Sequence, residues 1–79
     1  MENLTIDTDF ITLGQFLKMT NLISSGGMSK WFLEENIVYV NGEVEQRRGK
    51  KLRDGDIIKI PDVGTYKVIG QSDGQTDAY

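Results

Sequence analysis

The sequence predicts an α+β domain, two packed helices followed by a small antiparallel β-sheet. Three observations carry this reading. Leu13, Phe16 and Leu17 recur at helical spacing behind a helix-start signature at Thr12. Ser29, Phe32, Leu33 and Asn36 repeat at i, i+3, i+4 and i+7 and mark a second helix. Beyond them, short runs of Val and Ile are separated by the turn dipeptides Asn41-Gly42 and Asp54-Gly55.

Each element has its own signal. Leu4 and Ile6 alternate with polar neighbours and read as a short strand. Thr12 and Gln15 form a capping-box pair, and Ile11 precedes the cap as a hydrophobic staple, so the first helix starts at Leu13 and ends near Asn21 or Leu22. Leu22 to Gly27 is a loop. The second helix begins between Gly27 and Ser29 and runs to about Asn36, with Trp31 opposite the Phe32/Leu33 face and Lys30 to one side. Ile37, Val38 and Val40 form a strand, and Asn41-Gly42 suits a type I′ turn, which needs positive φ at both central positions. Glu43, Val44 and Glu45 return. Gln46 to Arg53 is a connection with a bend at Gly49 and one apolar anchor, Leu52. Asp54-Gly55 turns the chain into the strand Asp56 to Ile60, which Pro61 ends, and Thr65 to Ile69 is the last strand. Residues 1–70 form one domain. Residues 71–79 have little to bury and read as a flexible tail.

Composition narrows the chemistry. With no Cys and no His, Cys/His zinc sites and Ser-His-Asp or Cys-His catalysis are excluded, and a reducing cytoplasm is the natural compartment. The first residues carry no signal-peptide pattern, and no apolar run approaches the ~20 residues that cross a bilayer. Glu34/Glu35 and Glu43/Glu45 are the carboxylate pairs, and neither has an apolar cleft beside it to raise one pKa, so acid/base catalysis is not expected. No cofactor is implied.

The formal net charge is −3, yet Arg47, Arg48, Lys50, Lys51 and Arg53 place five cations within seven positions. The acids dominate both ends of the chain, whereas residues 14–60 are mildly basic. A local cluster attracts a polyanion within a Debye length of about 8–10 Å whatever the distant charges do. Guanidinium and ammonium groups both bind phosphate. The bland alternative is a solvated loop balanced by Glu43, Glu45, Asp54 and Asp56. Phospholipid is the weaker polyanion candidate, because no amphipathic anchor accompanies the cations. Ser24-Ser25-Gly26-Gly27 before a helix carrying Lys30 is an open helix start that suits phosphate, or an ordinary helix–helix turn. Trp31 stacks on an unpaired base or packs against the N-terminal strand or tail.

The stretch from Leu13 to Ile60 resembles the RNA-binding domain first described in ribosomal small-subunit protein four, the alpha-L motif. Leu13, Phe16 and Leu17 match its first helix, Ser25-Gly26-Gly27 and Lys30 its loop and basic second helix. Val38, Val40, Asn41, Gly42 and Val44 match its hairpin, and Leu52, Gly55, Asp56 and Ile58 its closing element. The loop and Arg-Arg-Gly-Lys-Lys-Leu look most like the short stand-alone bacterial YaaA-like branch. The resemblance implies a curved sheet packed on the two helices and binding to structured RNA. The residues it points to are Lys30, Arg47, Arg48, Lys50, Lys51 and Arg53, with Ser25, Gly26, Gly27 and Trp31 beside them. Where the family loop commonly has Ser-Arg, this chain has Gly27-Met28, leaving Lys30 to stand in.

The function this implies is non-catalytic binding of ribosomal RNA, in ribosome assembly or translation, by a cytoplasmic monomer whose partners are the RNA and the ribosome or its precursor. A protein-interaction module docking through Trp31 and Met28 is the alternative. A ubiquitin-like sulfur carrier shares the Val-Asn-Gly-Glu and Leu-x-x-Gly-Asp-x-Ile elements, but its chemistry needs a terminal Gly-Gly where this chain has Ala78-Tyr79.

Overall fold

A computed structural model describes residues 1–70; the tail expected over 71–79 lies outside the described residues. Local chemistry starts the first helix, α1 (Leu13–Met19). Thr12 is extended, at φ −86° and ψ 160°, and its hydroxyl accepts from the Gln15 N–H at 3.2 Å. The Gln15 Oε1 accepts in return from the Thr12 N–H at 2.8 Å. This is the expected capping box, and it satisfies donors that a helix start otherwise leaves open.

The same helix ends earlier than its pattern suggested. Thr20 is the C-cap, and Asn21 takes a left-handed φ of 63°. The Asn21 N–H donates to the Lys18 carbonyl at 3.1 Å and the Leu22 N–H to the Leu17 carbonyl at 3.0 Å. That pairing is a Schellman motif built on Asn rather than Gly. It folds Leu22 back against the core.

A 3₁₀ turn (Gly26–Met28) leads into the second helix, α2 (Ser29–Glu35), which packs on α1. Ser29 is buried, and its hydroxyl donates to the Gly26 carbonyl at 2.7 Å. The Phe32/Leu33 face is buried as its spacing required, and Trp31 stands 55% exposed.

The remaining chain forms short strands: β1 (Glu2–Thr5), β2 (Ile11–Thr12), β3 (Tyr39–Val40), β4 (Glu43–Val44), β5 (Lys51–Leu52), β6 (Ile57–Ile60) and β7 (Gly64–Ile69). Five of them make a sheet in the order β1-β7-β6-β3-β4. Asn41 and Gly42, at φ 52° and 87°, form the I′ turn between β3 and β4. The strand expected over Ile37, Val38 and Val40 is shorter than its apolar run. Ile37 precedes β3 and is exposed, while Val38 is buried and its carbonyl accepts from the Glu45 N–H at 2.8 Å.

Two pairings join segments far apart in sequence. The sheet is antiparallel except at β1–β7, where Leu4 lies beside Val68 in a parallel register. A parallel pair needs a long crossover, and here both helices and five strands lie between its members. The other pairing is a separate two-stranded ladder, β2–β5, with Ile11 opposite Leu52 and Thr12 opposite Lys51. The basic run was expected to be only a connection. Its last part is a strand, because Leu52 enters the core there and its neighbours align with the residues that start α1.

Leu13, Phe16, Leu17, Leu33, Leu52, Ile58 and Val68 are fully or almost fully buried in one core between helices and sheet. Leu52→Ala is expected to destabilise the fold by about 2–5 kcal/mol. Val44→Ala, at a strand position 58% exposed, should stay within about 0.5 kcal/mol. Urea melts of the two variants check the contrast.

Candidate nucleic-acid interface

The basic run is held by its backbone. The Lys50 N–H donates to the Arg47 carbonyl at 3.1 Å, which closes a turn with Arg48 and Gly49 at its tip. The carbonyls of Lys50 and Arg48 then accept from the Leu13 and Gly14 N–H groups, at 2.8 and 2.9 Å. These are the first donors of α1, which no turn of its own helix can satisfy. The run therefore caps the helix with its main chain, while the side chains of Arg47, Arg48, Lys51 and Arg53 stay exposed.

Three segments pack around Gly14 at this junction. A Cβ on Gly14 would lie 3.4 Å from the Ser29 Oγ and 3.5 Å from the Arg48 carbonyl oxygen. A lone Cβ there would make ordinary contacts, and a branched side chain would reach further into the point where α1, the start of α2 and the tip of the basic turn meet. Between them is an open cleft of about 430 Å³, lined by Thr12, Gly14, Gln15, Lys18, Gly26, Ser29, Arg48 and Gly49.

The cations expected to act as one cluster fall into separate settings. Arg48 lines the cleft. Arg47 is engaged with half-buried Glu45, whose carboxylate accepts from its Nε at 2.9 Å, its Nη2 at 3.2 Å and its backbone N–H at 3.0 Å. Chiefly through the side-chain hydrogen bond from Arg47, the Glu45 pKa is lowered to about 2. The same bond raises the pKa of Arg47. Lys51 and Arg53 lie over the Phe10 ring, with Nζ 4.9 Å and the guanidinium carbon 5.2 Å from its centroid, in cation–π contact. Lys50 is half-buried at the end of the turn.

The second-helix start differs from expectation. The Met28 N–H donates to the Ser25 carbonyl and the Ser29 N–H to the Gly26 carbonyl, so the 3₁₀ turn already uses donors that the sequence left open. Of the small-residue loop, Gly26 lines the cleft, while Ser25 and Gly27 are exposed beside it. Lys30 and Trp31 are exposed on α2 and do not line the cleft.

Lys18 was not among the expected contact residues, yet it lies in the cleft wall with Arg48. The signal was present in the sequence. Lys18 follows the buried Leu17 and sits on the polar side of α1, four residues after Gly14. Among the described residues no three of His, Cys, Asp and Glu come together to hold a metal, and no helix is long and apolar enough to cross a membrane.

Two helices packed on a small sheet, with a basic turn docked on the first helix, are the architecture of an alpha-L module. The S4 domain family matches residues 4–69, and this chain belongs to that family. One relative, "Probable ribosome maturation protein RlbA" of Bacillus subtilis (strain 168), is 53% identical over 66 residues, covering 84% of this chain and 93% of its own.

Two outcomes follow from this geometry. Glu45, with its folded pKa depressed from 4.5 to about 2, stabilises the fold fully above its unfolded value, and that contribution is lost as pH falls towards 2. Glu45→Gln should therefore flatten the acid limb of stability between pH 4.5 and 2, read by melts at a series of pH values. Equal acid limbs in the two proteins would refute the role given to the pair. Gly14→Val should force the basic turn off α1 at a cost of about 1–3 kcal/mol, with faster hydrogen exchange at the amides of residues 13 and 14.

Proposed function

We propose that this chain is a non-catalytic RNA-binding protein of ribosome maturation, a cytoplasmic monomer that holds structured ribosomal RNA in the ribosome or its precursor. The observation that carries this reading is the cleft in which Lys18 from α1 and Arg48 from the basic turn meet beside Gly26. Lys51 and Arg53, held over Phe10, extend the cationic surface along the β2–β5 ladder. Membership of the S4 domain family and the name of the Bacillus subtilis relative support the same reading.

The cleft is open and built from helix and turn residues, so it suits a folded RNA backbone better than an extruded base. Phosphates would be taken by Lys18 and Arg48, with shape rather than base edges being read. Arg47 would act mainly by holding the turn through Glu45. Lys30 and Trp31 would contact RNA that runs past α2.

The rival protein-docking reading has one favourable observation, the exposed Trp31. Its second anchor is weaker. Met28 is packed partly into the core, and its sulfur accepts from the Ser24 hydroxyl at 3.2 Å. Nothing in the fold or the family favours the sulfur-carrier reading.

Replacing Lys18 and Arg48 with Ala together should weaken binding to ribosomal RNA and reduce the salt slope by about 1.4–1.8, two phosphate contacts. Lys30→Ala should have the smaller effect. Filter-binding isotherms at several salt concentrations decide it, and an unchanged slope in the double variant with a large loss in Lys30→Ala would overturn the cleft as the principal site.

A further inference from the structure

The sheet has a second face, turned away from the helices and from the cleft. Val40, Ile58, Ile60 and Val68 are buried, and Tyr66 meets Phe16 edge-on with ring centroids 5.2 Å apart. These residues point inward. On β3, β6 and β7, Tyr39, Ile57, Lys59, Thr65 and Lys67 point outward by strand alternation, and the exposed Val44 of the edge strand β4 lies opposite Tyr39. The register sets Tyr39 opposite Lys59, Lys59 opposite Thr65, and Ile57 opposite Lys67. Directly opposed residues have their Cβ atoms about 4.5–5.5 Å apart, so the five form one continuous patch.

An open hollow of about 470 Å³ lies on this patch, lined by Tyr39, Gly42, Ile57, Lys59, Pro61 and Thr65. The five outward strand residues include two lysines and no carboxylate, on a chain whose formal net charge is −3. Of the acids next in sequence, Asp56 is turned elsewhere, its carboxylate accepting from the Asn41 Nδ2 at 3.1 Å and from the Arg53 N–H at 2.8 Å, while Glu43 and Asp62 are exposed beside the lining residues Gly42 and Pro61.

We propose that this outer sheet face is a second RNA contact, for a single-stranded segment. One base would lie against Tyr39 and Ile57, and Lys59 and Lys67 would take backbone phosphates. An aromatic ring among cations on an exposed sheet is the chemistry that binds unpaired strands, because every base has a π-face and every linkage a charge. A protein surface would instead be met by a larger apolar centre depleted of lysine. The proposal rests on reading the chain as an RNA binder. It adds that the domain touches RNA on two opposite sides, structured RNA at the cleft and an unpaired strand at the sheet.

The test is titration of the ¹⁵N-labelled full chain with a twelve-nucleotide oligouridine, read by amide shifts and by affinity against salt. Amides of Tyr39, Ile57, Lys59, Thr65 and Lys67 should shift, and should still shift in the Lys18→Ala/Arg48→Ala protein. In Lys59→Gln/Lys67→Gln the shifts should be lost and the salt slope should fall by about 1.4. Tyr39→Leu should weaken binding about fivefold or more. Shifts confined to the cleft would overturn this proposal and leave the cleft reading intact, whereas no shift with oligouridine and no binding of ribosomal RNA would overturn both. Tyr39 crosslinking to protein and not to RNA in a ribosomal precursor would reassign the face to protein docking.

Discussion

The docking of the basic turn on the start of α1 is the junction from which the rest of the architecture follows. Two N–H groups, of Leu13 and Gly14, meet two carbonyls, of Lys50 and Arg48. A seven-residue helix has few backbone bonds of its own, so satisfying its first donors matters in proportion. The consequence reaches further than the helix. Because the run gives up its carbonyls to α1, its chain direction is set, Lys51 falls opposite Thr12, and Leu52 drops into the core beside Ile11. The surface cluster is thus tied to the interior by its own main chain.

That tie also explains how so acidic a chain can present a cationic surface. Glu45 is neutralised locally by Arg47, and Asp54 and Asp56 are spent on backbone donors, those of Gly70 and Arg53. The acids nearest the run are therefore structural, and they hold its ends in place. The side chains of Arg48, Lys51 and Arg53 carry none of the described ion pairs. Net charge describes the far field, which salt screens; local geometry decides what a phosphate meets within about 8–10 Å.

The features legible in the sequence were those whose cause is local. Thr12 and Gln15 announce a capping box because both partners lie within one turn, and Asn41-Gly42 announces its turn because φ is a property of the residue itself. The Phe32/Leu33 face and the Leu52 anchor were legible from spacing and isolation. What was not legible is long-range and short in extent. Two-residue strands such as β2 and β5 have no periodicity to detect, and their pairing depends on where the helices place them. The parallel β1–β7 pair has the same cause. In the candidate site, density of charge marked out one segment but could not divide it. Arg47 looks like Arg48 in sequence, and only the fold shows that one faces Glu45 and the other the cleft. Lys18 went unnoticed because it stands alone, nearly thirty residues before the cations it joins.

The position of Gly14 gives the site a mechanical logic. Three segments meet there, and Ser29 and Arg48 both lie within van der Waals reach of that one position on the helix. A polyanion seated in the cleft would contact all three segments at once, so binding and the α1–α2–turn packing would be mutually supporting. Bound RNA would then stabilise the whole domain by mass action, since an unfolded chain keeps its charges but loses the cleft. The cations over Phe10 would gain less, because the β2–β5 ladder and the ring hold them whether or not RNA is present. Specificity for folded RNA would accordingly come from the cleft, where shape is made by packing, and the flanking cations would supply affinity that any polyanion shares.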